Sequence, residues 1–459
     1  MIHRYQKKGL NFVLDVNSGA VHLLDDISYA VSGLLDENMG DTCPQSIIDA
    51  LPDYTADEIR EAYDELYELK KAGQLFAQDD YIDVSRYIPV NAPVKALCLH
   101  VAHDCNLRCQ YCFASTGDFG QGRKIMPPEI AKKAIDFVIA RSGVRHNIEV
   151  DFFGGEPLMA WDTVTQTVDY ARSLEEKYNK KFRFTITTNG LLLDEDKRKY
   201  INENMDNCVL SLDGRREVND EFRKTVAGTG SYDTIVPKFK ALVDERDPNL
   251  DYYARGTFTS HNLDFAEDVL SIADAGFDRL SVEPVTADPG CGYDLTEDDL
   301  PKIEAEYDRL TDIMLERKKE GKPFTFFHFM VDLDQGPCVV KRLRGCGAGY
   351  EYVAVTPDGD IYPCHQFVGK DEFKQGSVLD QSFNMDIAQK FASMNIYSRP
   401  KCQKCWAKFY CSGGCSAANY NMNHDMNDSY DLGCEMERKR LECAIYLKAM
   451  DKICANQSK

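Results

Sequence analysis

Cys105-Asn106-Leu107-Arg108-Cys109-Gln110-Tyr111-Cys112 spaces three cysteines as C-x3-C-x2-C. Iron–sulfur cubes normally take four cysteine ligands. A triplet without a close fourth member leaves one iron open to another molecule, which points to a cluster that takes part in chemistry. A zinc knuckle is the alternative that this spacing alone leaves open. The run follows a predicted strand, Val94–Val101. Beyond it, strands are predicted at Ile148–Phe153, Phe182–Thr188, Cys208–Leu212, Tyr252–Thr259 and Leu280–Glu283. Helices between them include Pro128–Ala140, Thr163–Tyr178, Asp233–Val243 and Phe265–Ala275. Six βα repeats predict an α/β fold with a parallel sheet, an incomplete (βα)6 barrel over residues 94–290. In such folds the chemistry sits at the carboxyl ends of the strands, where the triplet falls.

The flanks read differently. Residues 1–88 carry three short strand patterns, Ile2–Lys7, Asn11–Val16 and Ala20–Leu24, separated by Lys8-Gly9 and Asn17-Ser18-Gly19 turns. Helices follow at Asp26–Leu35 and Pro44–Leu51, and a third opens on the capping box Thr55-Ala-Asp-Glu58. This order predicts a winged-helix-like module, joined to the barrel by a linker at Pro89–Pro93. Residues 291–337 begin with a charged helix, Glu297–Lys319, and read as a bridging helical region. Residues 338–459 are rich in cysteine and glycine with few long periodic segments, as in a domain held together by metal.

Composition narrows the classes. Seventeen cysteines, dense after residue 338, read as metal ligands in a chain with no visible secretory signal, because the cytosol keeps thiols reduced. A cytoplasmic location is expected. No apolar run reaches membrane-spanning length, so no membrane partner is expected. The net charge of −21 and the lack of a long basic run argue against nucleic acid. Residues 1–90 hold 17 acidic against 7 basic side chains, a net of −10, which favours a neutral or basic partner there or simply keeps the module soluble.

Three predicted strands end on short polar or glycine-rich runs: Gly154-Gly155-Glu156-Pro157, Thr187-Thr188-Asn189-Gly190 and Ser211-Leu212-Asp213-Gly214. Glycine lets a backbone approach a ligand, and small polar side chains can bond hydroxyls and carboxylates. Together with the triplet and the βα repeat, these runs resemble the radical S-adenosylmethionine (SAM) superfamily. The resemblance implies that Cys105, Cys109 and Cys112 ligate a [4Fe–4S] cluster whose open iron chelates SAM. It implies SAM contacts from Tyr111, Gly154, Gly155, Glu156, Asn189, Ser211, Asp213 and Arg223. Many relatives carry His-Asp before that arginine, where this chain has Asn219-Asp220.

Cys346, Gly359-x4-Cys364, Cys402-x2-Cys405-x5-Cys411-x3-Cys415 and Cys434 resemble the seven-cysteine SPASM pattern of two auxiliary [4Fe–4S] clusters. The resemblance assigns Cys402, Cys405, Cys411 and Cys434 to an outer cluster and Cys346, Cys364 and Cys415 to an inner one, for three clusters in all. Seven thiolates leave one iron short of a ligand; Cys338 is a candidate, and an open site is the alternative. The remaining cysteines (43, 98, 208, 291, 443 and 454) are expected to be buried apolar residues.

The first module resembles the peptide-recognition domain of enzymes that modify ribosomally made peptides, in which a leader peptide adds as a strand. The whole chain resembles the SCIFF maturases, which form thioether crosslinks in cysteine-rich peptides. That resemblance implies a reaction in which SAM yields methionine and a 5′-deoxyadenosyl radical, and the radical takes hydrogen from a substrate residue, for which threonine is a candidate. A substrate cysteine then bonds to the carbon, and an electron leaves through the auxiliary clusters. A reducing partner such as ferredoxin or flavodoxin is implied. The alternatives are an anaerobic sulfatase-type maturase forming formylglycine, a carbon–carbon crosslinking maturase, and a non-catalytic iron–sulfur scaffold.

Overall fold

The structure, a computed structural model, describes residues 1–83, 92–333 and 339–457. Pro89 to Asn91 of the expected linker, and Cys338, lie outside these residues. The first module forms a three-stranded antiparallel sheet, β1 (Ile2–Lys7), β2 (Leu10–Asp15) and β3 (Val21–Leu24), in the order β1-β2-β3. Helices Asp26–Ser32, Gln45–Ala50 and Ala56–Lys71 follow. The third starts on the predicted capping box, in which Thr55 and Glu58 satisfy each other's backbone N–H groups. It buries Ile59, Ala62, Tyr63 and Leu66, the face expected from their helical spacing.

Strands β4 (Ala96–His103), β6 (Asn147–Gly154), β7 (Lys181–Thr188), β8 (Asn207–Ser211), β9 (Asp251–Phe258) and β10 (Arg279–Pro284) are all parallel. A short β5 (Lys124–Ile125) pairs antiparallel with the end of β4. Every residue of β4 is buried, as a strand covered on both faces requires. Helices Pro128–Arg141, Trp161–Tyr178, Tyr232–Asp244 and Phe265–Asp274 pack Ile135, Val164, Phe239 and Val269 against the sheet in one continuous core.

The sheet runs past the barrel on both sides. The bridging region contributes the helix Leu300–Lys319 and a short strand β11 (Thr325–Phe326) parallel to β10. On the other edge β12 (Tyr352–Val355) pairs parallel with β4. It continues antiparallel through β13 (Asp360–Tyr362), β14 (Gly376–Ser377) and β15 (Ser382–Phe383). The cysteine-rich region is thereby joined edge-on to the barrel, with Cys98 of β4 in the same apolar cluster as Tyr362, Cys364 and Phe367.

The expectation of few long periodic segments in this region is corrected by a 27-residue helix, Asp431–Gln457. Leu432, Met436, Cys443 and Ala444 join the barrel core, whereas Ile445 and Tyr446 pack on Tyr5, Phe12 and Leu14 of the first module. A helix wedged between two bodies buries apolar residues on more than one face, so the single-stripe pattern is lost. The first module is further tied down by His3, stacked on Trp406 at 3.8 Å, and by Lys7, paired with Asp308. Of the cysteines expected to be buried, Cys98, Cys208 and Cys443 are, Cys43 is half-buried, and Cys291 and Cys454 are exposed because they sit on a surface turn and near the end of the last helix. Among the described residues no helix is long and apolar enough to cross a membrane.

Candidate active site and cysteine clusters

The carboxyl ends of the barrel strands enclose a cavity of about 250 Å³. Cys105, Cys109 and Cys112 line it, together with Tyr111, Gly154, Gly155, Glu156, Asn189, Ser211 and Arg223. The triplet loop bends tightly after Cys112: Ser115, Thr116 and Phe119 adopt left-handed backbone conformations. Asn189 ties this loop to β7, its Nδ2 donating to Asn106 Oδ1 at 2.8 Å.

Glycine is required at the end of β6. Gly154 has φ +121°, and a Cβ there would lie 2.2 Å from the carbonyl oxygen of Ala102. A Cβ on Gly155 would meet the Asp104 carbonyl oxygen at 2.1 Å. The backbone of β6 therefore lies directly against the start of the triplet loop. Glu156 is buried and knits the strand ends: its carboxylate accepts from Leu158 N at 3.0 Å, Thr188 Oγ1 at 2.8 Å and Asn189 N at 2.8 Å. Burial raises its pKa, and those three donors oppose the rise.

Behind the triplet is a buried charged network. Tyr111 Oη donates to Asp213 Oδ2 at 2.6 Å and accepts from Arg223 Nη1 at 2.8 Å. Arg223 and Asp213 are 3.6 Å apart. Asp213 is fully buried and also accepts from Thr257 N at 3.1 Å. It stands behind Tyr111 and Arg223 rather than on the cavity wall. Arg223 lines the cavity, and its Nε is buried without a hydrogen-bond partner among the described residues.

These features fit the iron–sulfur cube and SAM that the triplet implies. An orphaned guanidinium N–H suits a ligand carboxylate, and the glycine cradle admits a ligand close to the backbone. Among the described residues, no three of His, Cys, Asp and Glu group closely enough to hold a single metal ion; the three thiols instead rim an open cavity. Burial pushes Cys105 up to about 12 and Cys109 to about 11, Arg223 pulling Cys109 the other way. A cationic cluster core against these thiols would favour thiolates.

Of the later cysteines, Cys402, Cys405, Cys411, Cys415 and Cys434 lie around two further cavities, and Cys411, Cys415 and Cys434 share the wall of one of them. Cys402, Cys405, Cys411 and Cys434 line the other, of about 330 Å³. Burial pushes Cys364 up to about 12, and the nearby Cys415 and Cys346 add to the rise. Cys364 and Cys415 approach the barrel mouth. His365 and Gln366, directly after Cys364, line the triplet cavity, and Cys415 lines a pocket shared with Pro284, Val285 and Thr286.

Three features of the cavity escape a sequence reading. Arg255 and Glu283 form an ion pair in its wall, contributed by β9 and β10. His365 lies 5.0 Å from the Phe153 ring and 5.5 Å from Phe113. Phe113 is 46 % exposed beside the triplet. None sits in a recognisable motif; the parallel register of β9 with β10 brings the first pair together.

A parallel partial barrel with a three-cysteine loop over its mouth and a cysteine-rich extension defines the class. Residues 99–251 match the radical SAM superfamily, and residues 346–406 match SPASM, an iron–sulfur cluster-binding domain. The chain thus combines a radical SAM domain with a SPASM domain. It is similar to the cysteine-type anaerobic sulfatase-maturating enzyme of Clostridium novyi, at 25% identity over 72% of this chain and 90% of the relative. Among solved structures, anSMEcpe with bound AdoMet and Kp18Cys peptide superposes with a TM-score of 0.64 and 21% identity, over 78% of this chain and 99% of that one. Streptococcus suis SuiB bound to precursor peptide SuiA superposes with a TM-score of 0.52 and 16% identity, over 93% and 97%.

Proposed function

We propose that this protein is a radical SAM maturase that forms thioether crosslinks between cysteine and a carbon, with threonine the favoured donor, in a ribosomally made cysteine-rich peptide. Cys105, Cys109 and Cys112 would hold the SAM-binding cluster. Cys402, Cys405, Cys411 and Cys434 would hold an outer auxiliary cluster, and Cys346, Cys364 and Cys415 an inner one. Bound there, SAM and the clusters supply a hydrogen-abstracting 5′-deoxyadenosyl radical and an electron acceptor. Arg223, held by Tyr111 and Asp213, would orient the SAM carboxylate, and Gly154, Gly155 and Glu156 would seat its methionine end. Asn189 and Ser211 would contact the rest of the molecule.

The observation that carries this reading is that His365 and Gln366, directly after Cys364, line the triplet cavity, and that Cys415 lines a pocket with Pro284, Val285 and Thr286, which also line it. An inner cluster with one iron left open there, rather than one completed by Cys338, would suit capture of a substrate thiol. The first module supports a peptide substrate. Its β3 is paired on one side only, by β2, which leaves an edge for strand addition. SuiB, whose structure contains a precursor peptide, matches 93% of this chain. A ferredoxin or flavodoxin would supply the electrons for SAM cleavage.

The test is mass spectrometry of a cysteine-rich peptide from a neighbouring reading frame after anaerobic reaction. A loss of two hydrogens per crosslink, with the cysteine no longer alkylatable, is expected. The same mass loss with the cysteine still alkylatable indicates a carbon–carbon bond. A formylglycine product, which the likeness to sulfatase-maturating enzymes makes the second reading, rejects the thioether.

A further inference from the structure

A second cavity, of about 500 Å³, adjoins the first. Tyr111, Cys112, Phe113, Thr286, His365 and Gln366 line both, so the two share a wall that includes the exposed Phe113 ring. Its far wall holds Lys370, Tyr420, Asn421 and His424. Lys370 Nζ donates to Asn421 Oδ1 at 2.5 Å and lies 4.7 Å from the centre of the Tyr420 ring. Among the described residues no carboxylate forms an ion pair with it. Its neighbour Glu372 accepts from Tyr420 Oη at 2.8 Å and attracts the ammonium only from beyond ion-pair distance. Burial lowers the Lys370 pKa. A half-buried ammonium held by one amide oxygen and a ring face, with Asp288 and Glu372 near it but not in direct ion-pair contact, still has a donor to offer. In a chain of net charge −21, a cation so placed in a cavity wall stands out as a site for an anion.

We propose that this second cavity seats the stretch of substrate peptide flanking the reacting residue, and that Lys370 there binds the side-chain carboxylate of an Asp or Glu of that peptide. The inference rests on the peptide-maturase reading and adds a specificity determinant to it. Phe113 divides the reacting residue in the first cavity from its neighbour in the second. The peptide chain would turn around that ring, and Asn421 and Tyr420 would hold the ammonium in place.

The test uses the full chain, reconstituted anaerobically, and fluorescein-labelled peptides with amidated C-termini. All contain one cysteine and one threonine, and each position flanking the threonine is set in turn to Asp, Asn or Lys. Wild type is expected to bind at least one Asp peptide about fivefold tighter than its Asn counterpart. Lys370→Gln should abolish that preference, and Lys370→Glu should reverse it in favour of Lys at the same position. The reversal guards against misfolding, since a collapsed variant gains no new preference. A preference that survives in Lys370→Gln, or no Asp preference at any position, overturns the inference. So does an advantage seen only with free-acid peptides, which would assign the cation to a C-terminus. The two readings fail separately: Asp-selective binding without a crosslinked product rejects the thioether alone, and crosslinking without Asp selectivity rejects the Lys370 site alone.

Discussion

Tyr111→Phe removes one oxygen from the buried network behind the triplet. The ring remains and keeps its packing 5.6 Å from Phe222. The variant loses a 2.6 Å hydrogen bond to Asp213 and a 2.8 Å hydrogen bond from Arg223. Each bond has a charged partner, and such bonds are worth about 1.5–3 kcal/mol. The direct contact between Arg223 and Asp213, now at 3.6 Å, can tighten and recover part of this. A net loss of about 2 kcal/mol is expected, which is roughly 30-fold in an equilibrium constant. If Arg223 orients the SAM carboxylate, the loss falls on SAM binding: equilibrium dialysis of the reconstituted enzyme should show a Kd raised about 30-fold. Asp213→Asn should be worse, because it leaves the buried Arg223 without its countercharge, and breaking a buried pair costs about 3–5 kcal/mol. A Tyr111→Phe enzyme that binds SAM within twofold of wild type would refute this reasoning, as would Asp213→Asn proving the milder change.

Other outcomes follow from the same geometry. Gly154→Ala places a Cβ 2.2 Å from the Ala102 carbonyl at φ +121°, so SAM-dependent 5′-deoxyadenosine formation should disappear, read by chromatography against a wild-type control. Asp79→Asn breaks the pair with Lys408, whose side chain is 4 % exposed, at a cost of about 3 kcal/mol; limited proteolysis should then release the first module faster. Asp264 is held below the usual carboxylate range by Arg215. Its depressed folded pKa adds stability above the unfolded value, about 3.9, and that stability is lost as pH falls through the folded one. The melting difference between wild type and Asp264→Asn should therefore be constant at neutral pH and vanish in acid.

The strand-end motifs were legible because they are local. Cys105, Gly154, Asn189 and Ser211 each follow a strand whose apolar pattern marks it, and parallel strands must bring their ends to one face. The Thr55–Glu58 capping box was legible for the same reason, since its two partners are three residues apart. The helix Asp431–Gln457 was not, because it serves two cores and shows no single apolar stripe. The ion pair of Arg255 with Glu283 was not, because its partners belong to different strands with a helix between them.

By itself the sequence determined the parallel barrel and the place of the triplet at its mouth, because periodicity and motif spacing are properties of short stretches. The tertiary structure alone decided what those groups face. Pairing of β12 with β4 brings the Cys364 region to the barrel mouth, and Asp213 falls behind the cavity wall rather than on it. It also sets Lys370 in a cavity that adjoins the first. Such placements depend on contacts between residues far apart in the chain, fixed only when the sheet edges and the last helix pack.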